Sequence, residues 1–400
     1  MAERSSETSI ELTLVVLVVL SAFAIDVCIP SIPLAAEALD TEPGHAQLII
    51  GAYLAGYAIG QVPMGLLADR FGRLPVLYGG LATFIVSGFA TALANDIAML
   101  LAARFVQGIG GTAGPVLART IARDLTEGRD LSRLISLLVT ALVTTTIAAP
   151  VVGGGLVYMF GWRASFLSTP VFGLFCIVLA FALIPETLPA SGRRHGMSRQ
   201  FFESCVHFMR TRQALWGTTL VGLIFFGYMA MLSSISSILV DVYEFSAAVT
   251  GPVFASVAVI YLAATLLNRR MLVSLSPVKL IAIGTVAFAV SVLLLGSIAW
   301  AGAAGFWAFW LALLPFMVGM GFVFPNATAV ALAPLPQVAG FAAGILGTAQ
   351  IAFATMGSAA VAILYRGDVT SLSLVMLVSA ASTVLIFWLG RSSVVREANH

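Results

Sequence analysis

The chain has 400 residues, of which 60% are hydrophobic and only 10% charged, and its formal net charge is +2. Soluble domains average about 45–50% apolar and about 25% charged residues, so this composition excludes a soluble enzyme or binding domain and indicates an integral membrane protein. The three cysteines, Cys28, Cys176 and Cys205, are far apart and form no CxxC pair. Neither a disulfide framework nor a metal site is therefore expected, and no cofactor is predicted.

Twelve apolar segments follow one another along the chain, each close to the ~20 residues that a helix needs to cross a bilayer. They lie near 12–38, 47–68, 74–94, 97–118, 133–159 and 164–185, then near 213–240, 248–268, 277–300, 304–332, 338–364 and 370–390. We predict an all-α integral membrane fold of twelve transmembrane helices in two six-helix halves, 1–185 and 213–400. The longest polar stretch, 186–212, is predicted to be a cytoplasmic loop between the halves.

The basic residues predict the orientation of these spans. If both termini are cytoplasmic, seventeen of the twenty Lys and Arg residues face the cytoplasm, Arg163 and Arg366 lie outside, and Arg104 lies within a span. Acidic residues show no such bias. By the positive-inside rule, we predict a multi-pass protein of a bacterial-type inner (plasma) membrane with both termini in the cytoplasm.

The turn between the second and third spans is charged and contains more functional side chains than a simple connector needs. It reads GLLADRFGR at 65–73 and contains an acid, two arginines and two glycines: Gly65, Asp69, Arg70, Gly72 and Arg73. A weaker copy, LLNRR at 266–270, occurs 200 residues later at the same place in the second half and lacks the acid. Paired six-helix halves related by an axis along the membrane normal are one known transporter plan.

The turn resembles the GxxxDRxGR signature of the major facilitator superfamily and matches it at every fixed position. Three further segments resemble motifs of this family in order and position: RFVQG at 104–108 (RxxQG), APVVGG at 149–154 (the GPxxGG antiporter motif), and Asp26 to Pro33 (the acid-then-PxxP pattern of drug exporters). Ala149 departs from the motif's glycine, and TTT at 144–146 replaces a glycine expected earlier in that helix. Smaller features at 119–124, 161–166 and 185–187 resemble the bicyclomycin and chloramphenicol resistance branch of twelve-span drug:proton antiporters.

This resemblance implies a transporter and not an enzyme. The expected function is proton-coupled efflux of small, partly apolar drugs or toxic compounds by alternating access. Its expected partners are the substrate, protons and the lipid bilayer, with no nucleic acid, and the expected state is a monomer. Two alternatives stay open: export of a sugar or metabolite by the same mechanism, and a non-transporting receptor or scaffold built on the same fold. An ATP-driven pump is excluded because the chain has no GxxxxGK[ST] phosphate-binding loop.

Asp26 and Arg104 are the only formal charges predicted at membrane depth. An ionised side chain at the bilayer centre costs roughly 2.5–3.5 kcal/mol on insertion scales, so such residues tend to pair or to face water. We expect both to line one internal cavity and to carry proton coupling. Burial favours the neutral acid and a nearby guanidinium favours the carboxylate, so an entering substrate would tip the balance. The alternative is a permanent ion pair that holds spans one and four together.

Polar and aromatic side chains at mid-span are the candidates for the substrate cavity. They are Tyr53, Tyr57, Gln61, Gln107, Asn326 and Gln350. The first three recur every four residues and form one stripe on the second span, for which helix packing is the alternative. Gln107 lies on the same helix face as Arg104, where it contacts the ligand or Asp26, or orients Arg104. Buried amides such as Asn326 and Gln350 need hydrogen-bond partners.

Two further motifs of this sequence have expected roles, those of the turn being implied by the family resemblance. In the turn, Asp69 is expected to cap a second-half helix and Arg73 to meet an acid at the end of span four, for which Asp124 is the candidate. Together with Gly65, Arg70 and Gly72, these residues would latch the cytoplasmic side, the alternative being that the arginines only anchor the turn inside. Pro150, Gly153 and Gly154 of the antiporter motif, together with Gly155, are expected to bend span five and to give it a glycine face that lets helices approach closely.

Overall fold

The computed structural model describes residues 2–41, 43–126, 128–188, 199–301, 305–335 and 339–397, and every regular element in these ranges is helical. The first eight helices are α1 (Ala2–Asp26), α2 (Ile32–Ala38), α3 (Pro43–Phe71), α4 (Arg73–Ala92), α5 (Ile97–Gly111), α6 (Ala113–Leu125), α7 (Gly128–Phe160) and α8 (Trp162–Leu183). The others are α9 (Arg199–Arg210), α10 (Arg212–Ser237), α11 (Ala247–Met271), α12 (Pro277–Ala301), α13 (Phe306–Leu332), α14 (Ala339–Leu364) and α15 (Val369–Glu397). A 3₁₀ turn, Ile29–Ser31, separates α1 from α2, and a π-helical turn, Ile238–Val242, extends α10.

Among the described residues, eleven helical segments are long and apolar enough to cross a membrane. Helices α1 and α2 together form one such segment, as do α5 and α6. Helix α11 is a further long helix of 25 residues and occupies the position of the predicted eighth span. The prediction of an all-helical membrane protein is therefore confirmed, and its spans correspond to helices in the predicted order.

The contacts divide the chain into two compact units of similar size. Unit 1 comprises Met1–Thr41, Ala52–Ser198 and Ala247–Ala255, and unit 2 comprises Glu42–Gly51, Arg199–Ser246 and Ser256–His400. The predicted boundaries at 185 and 213 stay a prediction, and much of the central loop, 189–198, lies outside the described residues.

Close helix packing within unit 1 depends on glycines that face backbone. A Cβ atom at Gly108 of α5 would lie 2.0 Å from the carbonyl oxygen of Tyr53 on α3, and one at Gly56 of α3 would lie 1.9 Å from that of Phe105. Real side chains do not tolerate such distances, so any larger residue would push α3 and α5 apart. These two glycines therefore set the position of the α3 and α5 side chains described next.

Candidate functional site

The first transmembrane helix breaks immediately after Asp26. Helix α1 ends there, and the 3₁₀ turn that follows contains Pro30. Proline has no N–H group to donate and disfavours helical backbone at the residue before it, so α-helical hydrogen bonding stops at this point. The Cys28 N–H donates to the carbonyl of Ile25, three residues back, at 3.3 Å. The carbonyl of Ala24 is thus left without the donor that a continuous α-helix would supply.

Arg104 on α5 supplies that missing donor. Its side chain is fully buried, and its Nη2 donates to the Ala24 carbonyl oxygen at 3.2 Å while its Nη1 donates to Oε1 of Gln107 at 2.9 Å. The guanidinium carbon lies 4.5 Å from the ring centroid of Tyr53 and 5.8 Å from that of Phe166. A backbone carbonyl, an amide oxygen and two aromatic rings therefore replace the water that this cation loses on burial.

Asp26 is buried two residues after the carbonyl that Arg104 binds. The residue is 5% exposed, and its carboxyl group interacts with the hydroxyl group of Thr146 on α7. Cys28 lies within electrostatic range of both Asp26 and Arg104. The two charges predicted at membrane depth thus lie in one region of unit 1, and the contact of Arg104 with α1 is made through the backbone beside Asp26.

The aromatic stripe of α3 lies against this region. Tyr53 is fully buried, and its hydroxyl donates to Ser21 Oγ at 3.1 Å, which in turn donates to the carbonyl oxygen of Gly111 at 2.6 Å. Tyr57 is 8% exposed and stacks on Tyr53 with 6.4 Å between the ring centroids. Gln61 is half-buried one turn further along. Tyr53 is therefore fixed by both its ring and its hydroxyl, whereas Tyr57 continues the stripe away from Arg104.

Gln107 links three helices of unit 1. Its Oε1 accepts from Arg104 on its own helix, α5, and its Nε2 donates to Thr169 Oγ1 on α8 at 2.8 Å. A Cβ atom at Gly88 of α4 would lie 2.7 Å from this Nε2. Both ends of the amide are thus engaged within the protein, an arrangement that holds the guanidinium of Arg104 in place.

The candidates of the second half lie in unit 2. Asn326 on α13 is 2% exposed, and its Nδ2 donates to Oδ1 of Asn268 on α11 at 2.7 Å and to the carbonyl oxygen of Phe322 at 2.7 Å. Gln350 is half-buried on α14. The partner that the buried amide of Asn326 requires is therefore a second asparagine, which belongs to the LLNRR copy of the charged turn.

The antiporter motif packs against the break in α1. Pro150 and Gly154 are buried on α7, and a Cβ atom at Gly153 would lie 2.1 Å from the carbonyl oxygen of Val27. Val27 directly follows Asp26 in the chain. Gly153 therefore lets α7 approach the backbone of the break itself, and this approach brings Thr146, two helical turns earlier on α7, close to the Asp26 carboxyl group.

The charged turn forms a separate cluster in unit 1. Gly72 has φ = +104°, which glycine adopts without the steric cost paid by other residues, and α4 begins at the next residue. The side chain of Arg73 is only 8% exposed; its Nη1 donates to Oδ1 of Asp69, and its Nε donates to Oδ2 of Asp124 at 3.0 Å. Asp124 is thus the partner of Arg73, as the resemblance implies.

The other residues of the turn have different surroundings. The side chain of Asp69 is 46% exposed and is held by Arg73; its capping of a second-half helix stays a prediction. Arg70 is exposed, and its guanidinium lies 5.1 Å from the ring centroid of Phe71. No atom lies within 4 Å of a Cβ built on Gly65.

Glu186 and Thr187, which follow α8 in the chain, complete this cluster. The carboxylate of Glu186 accepts from the backbone N–H of Arg73 at 2.9 Å and from that of Leu74 at 3.1 Å. The hydroxyl group of Thr187 donates to Oδ2 of Asp124 at 2.8 Å. A carboxylate at a helix N-terminus satisfies N–H groups that have no partner within the helix and is favoured by the helix dipole. Glu186 therefore caps α4 and connects the segment after α8 to the charged turn.

Residues 14–358 match the family model of the Major Facilitator Superfamily. The chain belongs to this family. The resemblance drawn from the four motifs is thereby confirmed, and the protein is a multi-pass transporter of small-molecule substrates and not an enzyme.

Several relatives of this chain in the family are named for drug resistance. The chain is 28% identical over 360 residues to a bicyclomycin resistance protein homolog of Haemophilus influenzae, with 87% of each chain covered. It is also 28% identical over 371 residues to multidrug resistance protein D of Escherichia coli, again with 87% of each chain covered. Multidrug resistance protein MdtL of Escherichia coli is 31% identical over 191 residues, 48% of this chain and 49% of that protein.

Solved facilitator structures share the fold at low sequence identity. A D-xylose–proton symporter superposes with a TM-score of 0.76 at 17% identity, covering 94% of this chain and 97% of that one. A bacterial homolog of the human lysosomal transporter Spinster, in an inward-facing and unoccupied conformation, gives a TM-score of 0.76 at 14% identity and covers 97% of this chain and 96% of that one. At these identities the likeness establishes the facilitator fold alone.

Sequence reasoning missed several residues that the structure brings into these sites. Thr146 and Ala24 contact the buried charges, and Glu186 and Thr187 complete the cluster at the charged turn. A signal for Thr146 existed, since the TTT segment stands where the family pattern has glycine. Glu186 and Thr187 lie in the PET segment at 185–187, which carried family resemblance but no predicted contact. Ala24 contributes only its backbone, which side-chain patterns cannot reveal.

Proposed function

We propose that this facilitator is a proton-coupled exporter of small, partly apolar drugs or toxic compounds. The names of its relatives support efflux as the function. The observation that carries the coupling is the buried carboxyl group of Asp26 at the break of α1, next to the carbonyl that Arg104 binds. A buried carboxyl group is able to exchange a proton when its surroundings change.

In this proposal Asp26 carries the proton, and Arg104 positions the backbone beside Asp26. Substrate entering on the cytoplasmic side favours the ionised carboxylate, so the proton leaves to the cytoplasm while the substrate is bound. After the substrate is released outside, a proton from that side neutralises Asp26, and the carrier returns. Arg104 holds the broken end of α1, so the backbone beside Asp26 keeps its position through this cycle.

The six cavity candidates are considered separately in each unit in this proposal. Tyr57 and Gln61 in unit 1 stay candidates for substrate contact, as does Gln350 in unit 2, because a ligand site combines apolar walls with a few placed polar groups. Tyr53, Gln107 and Asn326 are engaged by other side chains and would position their neighbours. The small number of buried charges argues against highly charged substrates.

The remaining parts of the proposal concern orientation and the cytoplasmic latch. The distribution of its basic residues supports an orientation with both termini in the cytoplasm, and its bacterial relatives support a bacterial-type inner membrane. We propose a monomer as the transporting unit. The cluster of Asp69, Arg73 and Asp124 would then lie at the cytoplasmic surface and latch the transporter in one of its states. Because Glu186 and Thr187 also bind residues of this cluster, we expect all of its contacts to form and to break together.

The test is substrate uptake by inside-out vesicles energised by respiration, in which an exporter moves its substrate inward. The panel contains bicyclomycin, a lipophilic cation and a neutral sugar. The proposal predicts uptake of one or both drugs, abolished when nigericin collapses the pH gradient. Uptake of the sugar alone would favour the metabolite exporter instead, and uptake of neither drug by folded protein would overturn the proposal that these drugs are its substrates.

A further inference from the structure

The turn between α11 and α12 differs in its charges from its counterpart between α3 and α4. In the first turn, Arg73 is buried and its guanidinium is held by two carboxylates. In the second turn, Arg269 stands at the place of Asp69, so the copy has two adjacent arginines and no acid. The same structural position therefore carries a neutralised cluster in one unit and an uncompensated positive charge in the other.

Three cations surround this second turn and all are exposed. They are Arg269 and Arg270 at the end of α11 and Lys279 in the first turn of α12. In the part of the chain that the structure describes, the ion pairs of the charged turn join Arg73 to Asp69 and Asp124, whereas no ion pair joins Arg269, Arg270 or Lys279 to an acid. Cations at a helix C-terminus complement its dipole, which accounts for the two arginines. Lys279 lies at a helix N-terminus, where the dipole disfavours a cation, so the dipole does not account for it.

The turn also presents apolar side chains next to these cations. Val273 is 91% exposed and Leu272 is 42% exposed. The turn is nonetheless held in place, because Met271 and Leu275 pack on a buried cluster of Ala264, Leu280 and Phe322. The backbone N–H of Leu275 also donates to the carbonyl of Met271. Val273 therefore projects from a fixed turn just before α12, a helix that is long and apolar enough to cross a membrane.

We propose that this turn binds anionic phospholipid headgroups of the membrane in which the protein lies. Arg269, Arg270 and Lys279 would contact the phosphates, and Leu272 and Val273 would enter the interfacial layer beneath them. Basic residues next to a membrane helix are attracted to anionic lipid, and exposed apolar side chains beside them add burial in the same layer. This inference concerns the lipid partner and does not depend on which substrate is exported.

The test measures lipids retained by the purified full-length protein in nanodiscs of phosphatidylcholine mixed with phosphatidylglycerol, by native mass spectrometry. The test variant is R269Q/R270Q/K279Q. Its matched control, R119Q/R123Q/R133Q, removes three exposed cations from unit 1. We expect wild type and control to retain phosphatidylglycerol over phosphatidylcholine, and the test variant to retain it about a hundredfold less. Equal retention by both variants would overturn the proposal.

Two further measurements, on a second variant and with added phosphate, test whether the retained lipid is bound by this turn. Val273→Ser keeps all three charges and removes the exposed apolar group, so it should weaken retention less than the triple variant; it serves as the readout if the triple variant does not fold. Inorganic phosphate in large excess should leave the retained lipid unchanged. If phosphate displaces it fully, the turn binds free anions and the lipid proposal is wrong.

Discussion

Arg104 donates a hydrogen bond from Nη2 to the carbonyl oxygen of Ala24, across 3.2 Å and between helices α5 and α1. This carbonyl is available only because α1 breaks two residues later, at Asp26. The one buried cation that the sequence predicts at depth is therefore bound to the backbone of the helix that carries the buried acid. Any movement of the α1 break is coupled in this way to the side chain of Arg104 and, through Gln107, to α8.

The first prediction concerns Arg104→Lys. Lysine keeps the charge but lacks the planar fork that reaches Ala24 and Gln107 together. A buried acceptor left without its donor costs about 1–3 kcal/mol. We therefore expect transport at least about tenfold slower and a lower melting temperature, measured in vesicles and by thermal unfolding in detergent. A variant with wild-type transport and stability would show that the positive charge alone suffices.

The second prediction concerns Gly153→Ala. The new methyl group would clash with the Val27 carbonyl, from which a Cβ at this position is 2.1 Å distant. Overpacking of this kind costs typically 1–3 kcal/mol and would move α7 away from the α1 break. We expect lost transport and reduced thermal stability.

Gly155→Ala is its control on the same helix, since no atom lies within 4 Å of a Cβ there. It should transport like wild type, and the better helix propensity of alanine should preserve or raise its stability. If both alanine variants behave alike, the close approach of α7 to α1 has no functional consequence.

The third prediction concerns Glu186→Ala. This change removes the carboxylate that accepts from the N–H groups of Arg73 and Leu74 at the start of α4. Loss of a helix N-terminal cap costs typically about 1 kcal/mol. We expect a lower melting temperature together with faster hydrogen exchange of the first α4 amides. Glu37→Gln, at an exposed acid of α2, should change neither.

The fourth prediction is a double-mutant cycle on Asn268 and Asn326. Each single change to alanine leaves the other buried amide without its partner, which costs about 1–3 kcal/mol, whereas the double change removes both groups. We expect the double variant to lose clearly less stability than the sum of the singles. If Asn326→Ala alone alters drug selectivity and Asn268→Ala does not, Asn326 contacts substrate in addition to its partner.

The spans and the charged turn could be predicted from the sequence because each follows from local pattern. Long apolar runs define the helices, and the GLLADRFGR turn carries a complete motif. The contact between Arg73 and Asp124 was implied only through family resemblance, since 51 residues separate the two. The exposed Asp69 at the end of α3 is bound by Arg73 at the start of α4, and its expected role on a second-half helix stays a prediction.

The partners of the buried charges could not be predicted, for a physical reason. The Ala24 carbonyl becomes an acceptor through the backbone geometry of a helix break, and no side-chain pattern records that. Thr146 reaches Asp26 because Gly153 permits a close approach of two helices, a contact fixed by tertiary packing. The contact of Gln107 with Arg104, three residues away on the same helix, was one of the predicted alternatives, whereas the Thr169 partner of Gln107 and the Asn268 partner of Asn326 lie 62 and 58 residues away in the chain.

The most direct test of proton coupling is proton release on drug binding by purified protein in weakly buffered detergent solution, followed with a pH dye. Wild type, Asp26→Asn and the exposed-acid control Glu37→Gln are each titrated with a drug that wild type transports. The account predicts proton release from wild type and the control, and none from Asp26→Asn although the variant remains folded. Proton release from Asp26→Asn equal to that of wild type would contradict the account and place the coupling proton on another group.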